Sequence, residues 1–171
     1  MREEKVLENA TVCFLYMENK ILLGVKTRYI GEGRLNGPGG GIKDGEGPRE
    51  CAVRELKKET GGVIVSLKDL EKIAILYVRN KKKNGEIFVC RVHIFLTRKW
   101  SKESRDTDEM INFSLFNIDS LPFDKMMPAD KYWLPIALSG KKIIVRYSLS
   151  PFQKELLGEV KIEEVDSFPK E

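Results

Sequence analysis

The stretch GGIKDGEGPRECAVRELKKETGG, residues 40–62, decides how the rest of the chain is read. Pro48 suits a first helical turn, because its φ is preset and it has no N–H to leave unbonded. Gly61 and Gly62 supply a left-handed stop, so the spacing predicts a helix over 48–60. At 3.6 residues per turn, Ala52, Val53, Leu56 and Thr60 form a core-facing stripe, and Glu55 and Glu59 stack at its edge. Two like charges at this spacing cost an isolated helix about 0.2–0.5 kcal/mol, so the pair points to a cation, and Mg²⁺ suits a site with few carboxylates. The same pair also occurs on solvated helix faces, and only the flanking residues separate the two readings.

Those flanks are informative. Gly40, Glu46, Arg54, Glu55, Leu56, Glu59 and Gly61 stand in the order G-x5-E-x7-R-E-L-x-x-E-x-G. Seven fixed positions at this spacing resemble the signature of the Nudix hydrolases. The resemblance implies a helix that binds divalent metal and an enzyme that cleaves a nucleoside diphosphate linked to a further group. It places Glu55 and Glu59 at metal-binding positions and makes Glu46 and Arg54 a pair that braces the turn, with Gly40 and Gly61 structural. Two positions depart from the pattern: Lys58 replaces a glutamate, and Gly62 replaces an aliphatic residue. Lys58 lies three residues from Glu55 and beside Glu59, where an ammonium reduces the charge offered to a metal.

Further out, GRLNGPGG (33–40), TDEM (107–110) and LPFDKMMPADKYW (121–133) are similar to the oxidised-purine nucleoside triphosphatases of that family. This likeness implies hydrolysis of 8-oxo-dGTP or 2-oxo-dATP to monophosphate and pyrophosphate, with Mg²⁺ as cofactor and Mn²⁺ as its substitute, in nucleotide-pool sanitation. Carried over residue by residue, it gives Gly39 a metal-binding carbonyl, makes Glu55, Glu59 and Glu109 the acidic groups of metal binding and catalysis, and has Asn36 and Asp130 hydrogen-bond the base. Thr11 and Lys26 match positions lining the same pocket. Met127 stands where animal enzymes have a stacking Trp, and Ala129 replaces the first Asp of an Asp-Asp pair. A thioether still lies well against a purine face. Asn36 equally suits the turn of a glycine loop, and Asp130 equally suits a helix cap. Either Glu55 or Glu109 is the expected base. The alternatives carried forward are a Nudix hydrolase of another nucleoside diphosphate derivative and a catalytically weak nucleotide-binding module.

The whole chain, 171 residues with 42% hydrophobic and 33% charged residues, fits one domain, which we expect to span 1–171. Thirty Lys and Arg against 26 Asp and Glu give +4, enough to favour a small anionic substrate and too little for wrapping a nucleic-acid polymer. No tract is apolar and long enough for a membrane, Met1 to Asn9 lacks the apolar region of a secretory signal, and the expected location is cytoplasmic. Oligomeric state is left open. Cys13, Cys51 and Cys90 lack metal-ligand spacing and read as buried free thiols. With His93 the only histidine, no paired-histidine chemistry is available and catalysis falls to carboxylates.

Strands are expected at 10–16, 21–25, 63–67, 73–78, 87–97, 110–118, 143–148 and 160–165. The Asn84-Gly85 pair predicts a type I′ turn, and Asp130 is expected to N-cap a helix running to Ser139. Strands before, between and after two helices point to an α+β fold, a Nudix-type α/β/α sandwich around a mixed β-sheet.

Overall fold

A computed structural model describes residues 4–171. Strand β1 (Asn9–Met17) turns into β2 (Lys20–Lys26), and the glycine loop that follows holds two short strands, β3 (Leu35–Asn36) and β4 (Gly39–Gly41). Helix α1 (Pro48–Thr60) comes next, then β5 (Glu71–Lys81), β6 (Ile87–Thr97) and β7 (Met110–Asn117). Helix α2 (Asp130–Leu138), β8 (Lys142–Leu149) and β9 (Leu156–Val165) complete the fold. The strand order is β3-β2-β1-β6-β5-β8-β9, with β4 paired to β1 and β7 to β2. The β1–β6 and β5–β8 pairs are parallel and the others antiparallel, which makes the sheet mixed.

Alternation along β1 builds the layers. Cys13 and Leu15 pack with Ala52 and Leu56 of α1 on one face, while Phe14 packs with Trp133, Leu134 and Ala137 of α2 in the other cluster. One helix on each face gives the three-layer α+β sandwich expected from the sequence. Among the described residues, no helix is long and apolar enough to cross a membrane. All three cysteines are free and buried.

Helix α1 has the expected bounds. Pro48 opens it after Gly47, and Gly61 closes it at φ 72° with its N–H on the Lys57 carbonyl. The stripe is shifted, however. Cys51, Ala52, Leu56 and Thr60 are buried and Val53 only half-buried, while Glu55 and Glu59 lie within the packed region at 6% and 1% exposure rather than at its edge.

Three local readings are corrected. Residues 63–67 form no strand, because only Ile64 pairs, with Ser101, and the chain tightens into a 3₁₀ turn at Leu67–Asp69. Val63 and Val65 instead bury their side chains in the α1-side core, which yields the apolar signal without the ladder. The two-residue type I′ geometry belongs to Glu18 and Asn19, at φ 51° and 64°, between β1 and β2. At the β5–β6 turn only Gly85 is left-handed, at φ 91°, and its N–H bonds the Lys82 carbonyl in a longer loop. Ala129 rather than Asp130 occupies the N-cap of α2, and Asp130 begins the helix itself.

Candidate active site

Glu55 and Glu59 project from successive turns of α1 towards β4, where glycine is required by space. A Cβ on Gly40 would lie 2.6 Å from the Glu55 carboxyl carbon, and one on Gly39 would lie 1.9 Å from the Thr11 carbonyl oxygen. The Gly39 N–H donates to Glu59 Oε1 at 2.7 Å. Lys26 of β2 grips the same carboxylate, with Nζ 2.7 Å from Oε2 and 3.1 Å from Oε1. Burial pushes the Glu59 carboxyl above its usual range, while Lys26 and the Gly39 N–H oppose the shift. Glu109, just before β7, bonds Lys58 at 3.0 Å and Arg28 at 3.1 Å. Burial alone would raise its pKa; the bond to Lys58, then Arg28, brings it below the ordinary carboxylate range.

Each of these three glutamates offers an oxygen within 4.8 Å of the others. Three acids so close, two of them almost without solvent, require positive charge, and here Lys26 supplies it to Glu59, Arg54 to Glu55, and Arg28 and Lys58 to Glu109. An all-oxygen donor set, with the Gly39 backbone at hand, suits a hard divalent ion rather than a thiol- or imidazole-seeking one. The residues present therefore fit Mg²⁺ or Mn²⁺. Lys58, read from the sequence as a charge set against Glu55 and Glu59, finds its partner in Glu109.

Arg54 holds the turn before the helix. Its Nε and Nη2 bond the two Glu46 oxygens at 2.6 and 2.7 Å, its Nη2 reaches the Gly41 carbonyl at 3.0 Å, and its Nη1 bonds Glu55. The side-chain bond to Arg54 lowers the Glu46 pKa to about 2. Arg54→Ala should lower stability by about 1–2 kcal/mol, or the melting temperature by about 2–8 °C, allowing for screening near the surface. The depressed pKa makes Glu46's contribution complete above the ordinary carboxylate value of 4.5 and progressively lost as pH falls towards about 2. The gap between wild-type and variant melting temperatures should accordingly narrow below pH 4.5; a constant gap would remove this pair from the account.

A cavity of about 410 Å³ opens beside the carboxylates. Thr11, Lys26, Asn36, Gly39, Met127 and Asp130, all singled out from the sequence, line it together with Glu55, Glu59 and Glu109. Gly40 lines it too, whereas Glu46, Arg54 and Gly61 lie outside. Thr11 is buried with its hydroxyl 3.4 Å from Cys51 Sγ. Asn36 Oδ1 accepts from the Gly37 N–H at 2.8 Å, and its NH₂ has no partner among the described residues. Asp130 Oδ1 accepts from Trp133 Nε1 at 3.2 Å, and burial pushes its pKa up to about 7. A carboxyl poised there either donates or accepts a hydrogen bond near neutral pH. At the start of α2, Asp130 thus lines the cavity and does not cap the helix.

Sequence reasoning missed several lining residues. Arg28 and Tyr29 sit at the mouth, the guanidinium 5.6 Å from the ring centroid, and Trp133, Tyr147, Asn80 and Gln153 lie further along the wall. Asn80 was detectable in principle, since it continues the two-residue alternation of Leu76 and Val78 with a polar side chain. Gln153 was not, because its placement depends on a left-handed turn in which neither central residue is glycine.

The NUDIX domain family matches residues 6–136. A zebrafish (Danio rerio) protein described as "Oxidized purine nucleoside triphosphate hydrolase" is 30% identical over 156 residues, 91% of this chain and 94% of that protein. Its mouse (Mus musculus) counterpart of the same description is 30% identical over 158 residues, 92% of this chain and 96% of that one. Among solved structures, a MutT protein from Bacillus halodurans superposes with a TM-score of 0.73 at 21% identity, covering 92% of this chain and 98% of its own. A MutT NUDIX hydrolase from Burkholderia pseudomallei gives a TM-score of 0.61 at 22% identity, covering 79% and 98%.

Proposed function

Because this chain belongs to the NUDIX family, we propose that it is a divalent-metal-dependent pyrophosphohydrolase acting on purine nucleoside triphosphates, oxidised ones foremost, with monophosphate and pyrophosphate as products. The observation that carries the reading is the convergence of Glu55, Glu59 and Glu109 at the mouth of a cavity whose walls hold Asn36 and Asp130. The two vertebrate relatives described as oxidised-purine nucleoside triphosphate hydrolases match more than nine-tenths of the chain, and this supports the base class.

In this reading the phosphates lie over the carboxylates and the base enters the cavity. Mg²⁺, with Mn²⁺ as a substitute, would be held by Glu55, Glu59 and Glu109 with the Gly39 carbonyl, and would supply charge neutralisation to the phosphates and a more acidic water. Water adds across a phosphoanhydride bond and pyrophosphate leaves, with Glu55 or Glu109 taking the water's proton. Lys26, Arg28 and Lys58 face the same space, so three cations are available to the triphosphate once their carboxylates are otherwise engaged. Met127, half-buried at the α2 end, offers its thioether to the face of a purine. Three buried thiols and no disulfide are compatible with a reducing cytoplasmic location.

A substrate panel tests this. We expect kcat/KM for 8-oxo-dGTP or 2-oxo-dATP to exceed that for dCTP, nucleoside diphosphate sugars and dinucleoside polyphosphates by at least about tenfold, the value of one well-made polar contact. Preference for a sugar nucleotide or a dinucleotide would move the enzyme to another Nudix substrate class. Tight nucleotide binding with no turnover would make it a binding module.

A further inference from the structure

The cavity wall carries polar groups beyond Asn36 and Asp130. Leu76, Val78 and Asn80 share one face of β5 and all line the cavity, so a carboxamide stands where the alternation calls for an apolar side chain. Asn80 is 3% exposed. Its Nδ2 donates to the Val78 carbonyl at 3.1 Å, and its Oδ1 accepts from Gln153 Nε2 at 3.2 Å. Gln153 is also buried and also lines the cavity.

Gln153 reaches this position through a turn in which Phe152 and Gln153 are both left-handed, at φ 58° and 56°, a conformation uncommon outside glycine. The turn is closed by the Gln153 N–H on the Ser150 carbonyl and the Ser150 N–H on the Glu155 carbonyl, each at 2.9 Å. Arg34 fastens it to the segment that carries Met127 and Asp130, donating to the Lys154 carbonyl at 3.1 Å and the Met126 carbonyl at 2.6 Å. The cavity wall at this end is thus one tied unit rather than a loose loop.

Two carboxamides offer four amide hydrogens and two carbonyl oxygens. The bonds among the described residues use one hydrogen of each amide and the Asn80 oxygen, which leaves one N–H on each side chain and the Gln153 oxygen. The Tyr147 hydroxyl, on β8 beside Val78 and in the same cavity, likewise has no hydrogen-bond partner among the described residues. The Gln153 oxygen and the Tyr147 hydroxyl are not sealed from solvent, so they face the open space of the cavity, where a ligand with matching polar groups would replace water. The group complementary to a carboxamide is a lactam, an N–H beside a C=O; guanine already has one at N1 and C6, and 8-oxidation adds a second, N7–H beside C8=O, on the edge where the parent base offers only the N7 acceptor.

We propose that Asn80 and Gln153 form a second base-reading edge, separate from Asn36 and Asp130, which recognises the lactam pair introduced by purine oxidation. This rests on the assignment of the cavity to a purine. It makes the two residues determinants of the choice between an oxidised base and its parent, while Asn36 and Asp130 hold the rest of the base.

The test is the ratio of dissociation constants for dGMP and 8-oxo-dGMP, measured by calorimetry on the full chain in wild type, Asn80→Leu and Gln153→Leu, with melting curves recorded for each. The wild-type ratio should favour 8-oxo-dGMP, and either substitution should lower it about tenfold while leaving the dGMP value nearly unchanged. The near-isosteric Asn80→Asp and Gln153→Glu, which remove amide donors without changing size, should lower the same ratio and serve if a leucine variant fails to fold. A wild-type preference that persists in all folded variants would overturn the proposal, reducing the pair to a pin for the 150–155 turn and leaving the assigned function standing. No preference in wild type would overturn both the proposal and the oxidised-purine assignment.

Discussion

Glu59→Gln should lower kcat by about a thousandfold or more while leaving the fold intact. The substitution is nearly isosteric, and glutamine still accepts the Gly39 N–H, so the backbone contact at 2.7 Å survives. What is lost is the charge, at a side chain 1% exposed and gripped by Lys26. Without it the three-glutamate cluster falls to two carboxylates, and Lys26 is left as an uncompensated cation where a divalent ion should sit. The Mg²⁺ concentration for half-maximal rate should rise in parallel. Steady-state kinetics across a Mg²⁺ titration, with a melting curve as control, measures both. Near-wild-type turnover in a folded variant would remove Glu59 from the metal site.

Asp130→Ala carries the next largest effect, on the choice of base rather than on chemistry. The preference for an oxidised purine over dCTP should fall about tenfold or more, since a buried polar group that rejects the wrong base is removed. Trp133 Nε1 loses its acceptor at the same time, so a modest loss of stability, about 1–2 kcal/mol, should accompany the change. In wild type the selectivity should itself depend on pH. Burial raises the Asp130 pKa to about 7, so the carboxyl is neutral and donates below that value and is charged and only accepts above it. Its neutral form also contributes stability that is complete below the unfolded value near 3.8 and lost as pH rises through about 7. Relative kcat/KM for bases that need a donor at this edge should therefore decline from pH 6 to pH 8, and Asp130→Ala should flatten the profile.

How much of this was legible beforehand varies with the physics behind each signal. The bounds of α1 follow from two residues with strong backbone preferences, Pro48 and Gly61, and the structure returns the expected 48–60. The layers follow from β1, whose alternation sends Phe14 to one helix and Leu15 to the other. Position along the chain was harder to convert into environment. Asp130 has the identity of a cap and the location of a buried carboxyl in a cavity, because Ala129 already holds the N-cap. Asn84-Gly85 carries the sequence of a tight turn, yet the tight turn forms at Glu18-Asn19, where the pairing of Met17 with Lys20 sets the loop length. Val63 and Val65 read as strand because they are apolar and β-branched, but a core beneath a helix demands the same residues.

Partners distant in sequence were invisible in a different way. Lys58 and Glu109 lie 51 positions apart and meet only because β7, paired with β2, brings Glu109 back beside α1. The same holds for Asn80 and Gln153, 73 positions apart, one on a strand and the other on a turn that no local preference would place against it.

The most direct test of the central claim is product analysis after incubation of the protein with 8-oxo-dGTP, with Mg²⁺ present or with EDTA in excess. The account predicts 8-oxo-dGMP and pyrophosphate in equal amounts with Mg²⁺ and no detectable turnover with EDTA. Release of orthophosphate, turnover that ignores the chelator, or recovery of intact 8-oxo-dGTP after incubation with Mg²⁺ would contradict it.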